Sequence, residues 1–141
     1  MKVYVESSAV LAWLFGEEAG EAVRQILAGA EMVVSSDLTL VECERVIIRS
    51  EKVEGVTEVQ AADRRAALNR AAGRWHLIRL RDEVLERARR PFPKEPIRTL
   101  DALHLSSALV LRSAVPGLVL LSLDERIRDN AKEIGFEILP E

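Results

Sequence analysis

Two acidic residues follow predicted strands, at positions where a side chain can take part in chemistry. Glu6 comes directly after the β-branched and aromatic residues 2–5, and Asp124 follows the most continuous apolar run, residues 118–122. Both runs are typical of buried strands. In open α/β folds the carboxyl ends of parallel strands form the edge at which binding sites are built. We therefore expect Glu6 and Asp124 to lie at one edge of a sheet.

Two further acidic residues lie within predicted apolar helices. Asp101 falls in the first turn of a helix that follows the proline-rich loop at residues 90–96. An acid in the first turn also complements the helix dipole, so this position alone does not define a site. Glu42 lies in the helix after the predicted strand at residues 32–35, with Arg45 one turn later as a candidate partner. Burying either carboxylate without a partner or a metal is costly.

The four carboxylates together indicate a specific kind of chemistry. If they meet at one edge of a sheet, they repel one another unless a divalent cation holds them, and Mg²⁺ or Mn²⁺ prefers oxygen ligands. Such an ion can activate water and stabilise a leaving oxygen, which is what hydrolysis of a phosphodiester requires. The chain has no glycine-rich phosphate loop and no Ser/His/Asp signature that would support another mechanism.

The elements that must position these acids alternate along the chain. Alternating strands and helices predict an α/β fold: one domain over residues 1–141 with a doubly wound, mostly parallel sheet flanked by helices. The length of 141 residues is sufficient for one substantial core. The predicted strands are residues 2–5, 32–35, 75–78, 118–122 and 136–139. The predicted helices cover residues 9–15, 17–30, 38–48, 57–72, 82–90, the segment around Asp101 and the segment between Asp124 and Gly135.

The charge of the chain argues against a general nucleic-acid coat protein. The formal net charge is −3, although a bound cation would reverse the local sign at an acidic site. Basic residues concentrate between residues 79 and 98, but interleaved acids favour a solvated helix face over a phosphate-contacting surface. One cysteine, Cys43, excludes an internal disulfide, and no signal peptide or membrane span is predicted. We therefore expect a cytoplasmic protein.

The histidines and Cys43 lack the spacing of a metal site. His76 ends a short predicted strand, and no second histidine or cysteine lies at ligand spacing from it. His104 follows Asp101 by one helical turn and is interpreted as a packing residue, as is Cys43.

Four segments of the chain, taken together, resemble the PIN-domain family, especially its VapC-like toxin branch. These segments are residues 3–9, residues 40–45, the most specific run at residues 98–105, and residues 123–126. The resemblance covers essentially the whole chain. It implies a compact α/β fold with an acidic pocket that uses Mg²⁺ or Mn²⁺ to cleave RNA. It also implies a partner, a small antitoxin that binds DNA as well.

The resemblance assigns roles to individual residues. The implied metal cluster is Glu6, Glu42, Asp101 and Asp124. Ser8 is the implied hydroxyl that orients one of these carboxylates. Glu42 is preferred to Glu44 from the family register, and Glu44 is expected to face solvent because it lies on a different face of the helix.

One departure from the family leaves alternatives open. The opening acid is normally aspartate, and Glu6 is longer by one methylene, whereas Mg²⁺ requires near-ideal geometry. A catalytically weak PIN domain that binds RNA or an antitoxin is therefore one alternative, and a structure-specific DNA nuclease of the same fold is another. We also expect a homodimer contact or an antitoxin groove, with ordinary core packing as the competing interpretation. The apolar residues that suggest it are Trp13, Leu14, Phe15, Val23, Ile26 and Leu27.

Overall fold

Five short strands form one parallel sheet in a computed structural model that describes residues 1–141. The strands are β1 (Lys2–Val5), β2 (Met32–Ser36), β3 (His76–Ile78), β4 (Leu118–Leu121) and β5 (Ile138–Leu139). Their order across the sheet is β3-β2-β1-β4-β5, and every pair is parallel. The predicted doubly wound α/β fold is confirmed.

Seven helices connect and cover the strands. They are α1 (Ser7–Leu14), α2 (Gly20–Gly29), α3 (Asp37–Val53), α4 (Glu58–Ala72), α5 (Asp82–Ala88), α6 (Thr99–Ala114) and α7 (Glu125–Glu133). None of them combines the length and the apolar character that crossing a membrane would need.

The central strand β1 is buried on both faces. Val3 and Val5 pack with side chains of α1, α2, α3 and α4, whereas Tyr4 packs on the opposite face with α6 and α7. This alternation follows from the period of two residues in a strand. Because Val5 pairs with Leu121, β1 and β4 end side by side. The residues that follow these two strands therefore begin at neighbouring positions on the carboxyl edge of the sheet.

Several helices begin one to three residues away from their predicted starts, and the start of the first helix bears on the site. The first helix starts at Ser7 rather than at residue 9, because Glu6 is its N-cap and accepts a hydrogen bond from the Ser8 backbone N–H. The helix that carries Asp101, α6, has Arg98 as its N-cap and Thr99 as its first residue. Asp101 remains in the first turn, as predicted.

The predicted apolar surface of the first two helices is largely core. Val23 is fully buried, and Trp13, Phe15 and Leu27 are partly buried against the same cluster. The Arg64 guanidinium also covers the Phe15 ring, 4.2 Å from its centroid. Core packing therefore accounts for most of this surface.

Candidate metal centre

Glu6 is surrounded by hydrogen-bond donors at the end of β1. The side chain is only 3% exposed. Its Oε1 accepts from the Ser8 N–H at 2.8 Å and lies 3.0 Å from the Ser7 hydroxyl. Its Oε2 accepts from the Ser122 hydroxyl at 2.6 Å and from the Ser8 hydroxyl. An ionised carboxylate offers about four acceptor positions, so three are filled and the fourth is filled when the Ser7 hydroxyl donates to Glu6.

The serines around Glu6 also link neighbouring segments. The Ser7 hydroxyl is shared, because it lies 3.1 Å from Glu42 Oε1 as well and can donate to one carboxylate at a time. The Ser122 hydroxyl accepts from the Asp124 N–H at 3.1 Å while it donates to Glu6. Ser8 accepts from the N–H of Leu123 at 2.9 Å. The sequence prediction that Ser8 orients a carboxylate agrees with these contacts, and Ser7 and Ser122 add to them.

A buried chain of hydrogen bonds through His104 and Tyr4 fixes the Glu42 carboxylate. Its Oε1 is hydrogen-bonded to His104 Nε2, and His104 Nδ1 lies 3.0 Å from the Tyr4 hydroxyl. Burial and the negative charge of Glu6 raise the pKa of Tyr4, so Tyr4 stays protonated and donates to Nδ1. The other ring nitrogen then donates to Glu42. Arg45, the partner expected from the sequence, is exposed and forms no ion pair.

Glu44 points away from these residues. Its Oε2 pairs with Arg65 of α4 at 2.9 Å, and the side chain is half-buried. The expectation that Glu44 faces solvent is wrong, because the adjacent helix supplies a cation. Glu42, rather than Glu44, is the α3 acid that shares the Ser7 hydroxyl with Glu6.

Asp124 is the N-cap of α7. Its Oδ1 accepts from the backbone N–H groups of Arg126 and Ile127 at 2.9 and 3.2 Å. These two bonds fix the orientation of the carboxylate. The second oxygen, Oδ2, accepts no hydrogen bond from the protein.

Asp101 is a buried carboxylate with an unpaired oxygen. The residue is 8% exposed, and its Oδ2 is buried without any hydrogen-bond partner. Burial, followed by the negative charges of Asp124 and Glu6, raises the pKa of Asp101. A buried unpartnered oxygen beside like charges is unfavourable in the protein alone, which is the environment that a cation relieves.

The four predicted acids thus surround one region without forming a tight cluster. Glu6 and Glu42 share Ser7, Ser122 links Glu6 to the Asp124 backbone, and Asp101 is influenced by the charges of Asp124 and Glu6. No three acidic, histidine or cysteine side chains lie close enough together to hold one ion. Oxygens that accept no hydrogen bond remain on Glu42, Asp101 and Asp124, and carboxylate oxygens are the type of ligand that a hard divalent cation prefers.

Comparisons with known proteins agree with this fold. The PIN domain family model matches residues 3–133. Ribonuclease VapC46 of Mycobacterium tuberculosis is 33% identical over 137 residues, covering 97% of this chain and 95% of that protein. Ribonuclease VapC35 of the same organism is 26% identical over 139 residues, with the same coverage of each chain.

Solved structures also share the fold. VapBC2 from Rickettsia felis, bound to a DNA fragment from its promoter, has a TM-score of 0.65 at 14% identity and covers 98% of this chain and 97% of that chain. The Mycobacterium tuberculosis toxin VapC20, which cleaves the sarcin-ricin loop, has a TM-score of 0.65 at 15% identity and covers 95% of each chain. This chain therefore belongs to the PIN domain family, in its VapC-like branch.

Proposed function

We propose that this protein is an endoribonuclease that hydrolyses RNA phosphodiester bonds with Mg²⁺ or Mn²⁺ and is the toxin of a toxin–antitoxin pair. The observation that carries this proposal is the buried, unpartnered Oδ2 of Asp101 beside Asp124 and Glu6. The ribonuclease names of relatives that span almost the whole chain support it.

The residues that would hold the ion are Asp101, Asp124 and Glu42, because each keeps an oxygen that accepts no hydrogen bond. The ion would activate water and stabilise charge on the phosphate. His104 holds the Glu42 carboxylate in one orientation, and the first turn of α7 does the same for Asp124. Glu6 keeps the three serines in place, so its contribution is the order of the surrounding backbone rather than a free oxygen.

A cleavage assay on chelator-treated protein tests the proposal. We expect cleavage of single-stranded or hairpin RNA when Mg²⁺ or Mn²⁺ is added and none in EDTA. Glu42→Gln should reduce the rate by about 100-fold, since loss of even an indirect metal contact costs 10–100-fold. Glu44→Gln is the matched control on the same helix and should leave the rate nearly unchanged. Cleavage in EDTA, or cleavage of flapped DNA in preference to RNA, would contradict the proposal.

Glu6 supports a second candidate function, a PIN domain that binds RNA or an antitoxin but cleaves poorly. Its oxygens are taken up by hydrogen bonds where the family normally has a shorter aspartate. Titration of Mn²⁺ into the metal-free protein separates the two functions. Metal binding together with RNA cleavage supports the nuclease, whereas metal binding without cleavage supports the binding module.

The proposed partner is a small antitoxin protein. Similar folds occur in a toxin-antitoxin complex from Klebsiella pneumoniae, with a TM-score of 0.63. A cavity of about 360 Å³ remains beside the α1–α2 pair, with Trp13, Leu27 and Trp75 in its wall, and an apolar helix could enter it.

We expect co-expression with an adjacent small gene to give a stoichiometric complex by light scattering. Trp13→Ala should weaken this complex because it removes an aromatic anchor. A protein that stays monomeric with that gene product present would contradict the partner assignment. A homodimer that forms in the absence of the small gene product would favour a homodimer contact at this surface over an antitoxin groove.

A further inference from the structure

A second cavity lies between α5 and the first turn of α6. Its volume is about 420 Å³. Leu85, Phe92 and Leu103 contribute to its apolar wall, and Arg89 and Arg98 are its two basic lining residues. We propose that this cavity binds one nucleotide of the RNA next to the bond that is cut, with the base on the apolar wall and the phosphate on the two arginines. This inference rests on the proposed ribonuclease function.

The charge of this region is opposite to that of the rest of the protein. Residues 79–98 contain seven basic and four acidic residues, a net charge of +3, whereas the whole chain carries −3. The remaining residues therefore carry −6. The positive potential of residues 79–98 attracts a polyanion such as RNA, whereas the rest of the protein repels it.

The acidic residue that lines the cavity, Glu95, does not pair with these arginines. Glu95 is part of the cavity wall, but its two carboxylate oxygens accept hydrogen bonds from the backbone N–H groups of Phe92 and Ile97 at 3.0 and 2.9 Å. Glu95 thus stabilises the loop between α5 and α6. Arg89 and Arg98 are exposed and have no acidic partner within ion-pair distance, so their guanidinium groups remain available for a phosphate or the face of a base.

The cavity lies close to the proposed metal site along α6. Arg98, Thr99 and Ala102 line it, and these residues flank Asp101 on the same helical turn. The positive charge of Arg98 also acts on the Asp101 carboxylate. A nucleotide held here would lie adjacent to a phosphodiester placed at Asp101, and the volume is within the range of sites for small ligands.

RNA binding without metal tests the arginines independently of cleavage. A labelled single-stranded oligouridine is titrated with protein in EDTA at several salt concentrations, and fluorescence anisotropy gives the Kd. Removing both arginines, in Arg89→Gln/Arg98→Gln, should weaken binding about tenfold. It should also lower the slope of log K against log salt by about 0.7, since one neutralised phosphate of a single strand contributes about that much.

The matched control is Arg70→Gln/Arg74→Gln, which removes the same charge at the other end of the sheet. Both residues are exposed; Arg70 is in the last turn of α4 and Arg74 lies between α4 and β3, hence at the amino edge. This variant should bind with the slope of the parent. Equal Kd and slope for the parent and the Arg89/Arg98 variant would overturn the proposal.

Backbone NMR tests the cavity itself. Uridine monophosphate added to the metal-free protein should shift the amide signals of Arg98, Thr99 and Ala102, and ribose 5-phosphate should shift them less. Shifts confined to the amino edge, or equal shifts with both compounds, would show that no base enters the cavity.

A parent protein that binds RNA through the arginines without cleaving it would refute the proposed function alone. A variant that cleaves and binds like the parent would refute the subsite alone.

Discussion

Asp101→Asn should abolish RNA cleavage in both Mg²⁺ and Mn²⁺ while the protein remains folded. The amide keeps the size of the side chain but removes the negative charge that a cation requires. We expect a rate loss of about 1000-fold, equivalent to roughly 4 kcal/mol of transition-state stabilisation. Single-turnover cleavage and a far-UV circular dichroism spectrum measure the two properties. Cleavage at the parental rate would reduce Asp101 to a residue that complements the helix dipole.

The same substitution should raise the thermal stability of the metal-free protein. Burial and the charges of Asp124 and Glu6 raise the pKa of Asp101 above its usual value of 3.8, so the ionised form destabilises the folded state. This penalty is present at neutral pH and disappears as the pH falls through the raised pKa. The Tm gain of Asp101→Asn in EDTA should therefore be largest near neutral pH and smaller near about pH 4. A lower Tm for the variant at neutral pH would contradict this account.

Glu6→Asp should change activity and stability in opposite directions. Shortening the side chain withdraws the carboxylate by more than an ångström from the Ser122 hydroxyl, which now lies at 2.6 Å. Loss of one hydrogen bond to a charged group should lower the free energy of unfolding by about 1.5–3 kcal/mol. An oxygen without this donor becomes available to the cation, so cleavage in Mg²⁺ should rise about tenfold, or about 1.4 kcal/mol.

Two comparisons sharpen this second experiment. Glu6→Gln keeps the length but loses the charge, so it should lose stability without any gain in cleavage. Mn²⁺ should raise the activity of the parent more than that of the aspartate variant, because it should tolerate distorted coordination better than Mg²⁺. Equal activity of the glutamate and aspartate forms in both metals would show that residue 6 does not contact the ion.

Sequence patterns were sufficient to predict the sheet and the location of the acids that follow its strands. The apolar runs before Glu6 and Asp124 are short and uninterrupted, and the structure makes them the adjacent strands β1 and β4. The rule of right-handed crossovers limits the possible strand orders but does not select one. Only the structure shows that β1 lies in the centre of the sheet and pairs with both β2 and β4.

The partners of these acids could not be predicted in the same way. Sequence spacing suggested Arg45 for Glu42, because only neighbours on the same helix are visible in a sequence. The structure instead gives Glu42 a hydrogen bond to His104, 62 residues away, and pairs Glu44 with Arg65 of another helix. Such contacts depend on the rotation of each helix against its neighbours. The role of Ser122 as a donor to Glu6 had only a weak indication in the sequence, a hydroxyl at the end of an apolar run.

The position of β4 next to β1 has a consequence for the synthesis of this protein. The hydroxyl that fixes Glu6 belongs to Ser122, 116 residues later in the chain, and Asp124 follows it. A ribosome-bound chain that has not yet released this segment has β1 paired on one side only and lacks one of the proposed metal ligands. The proposed metal site can therefore form only after residues 118–124 have left the ribosome and β4 has paired with β1.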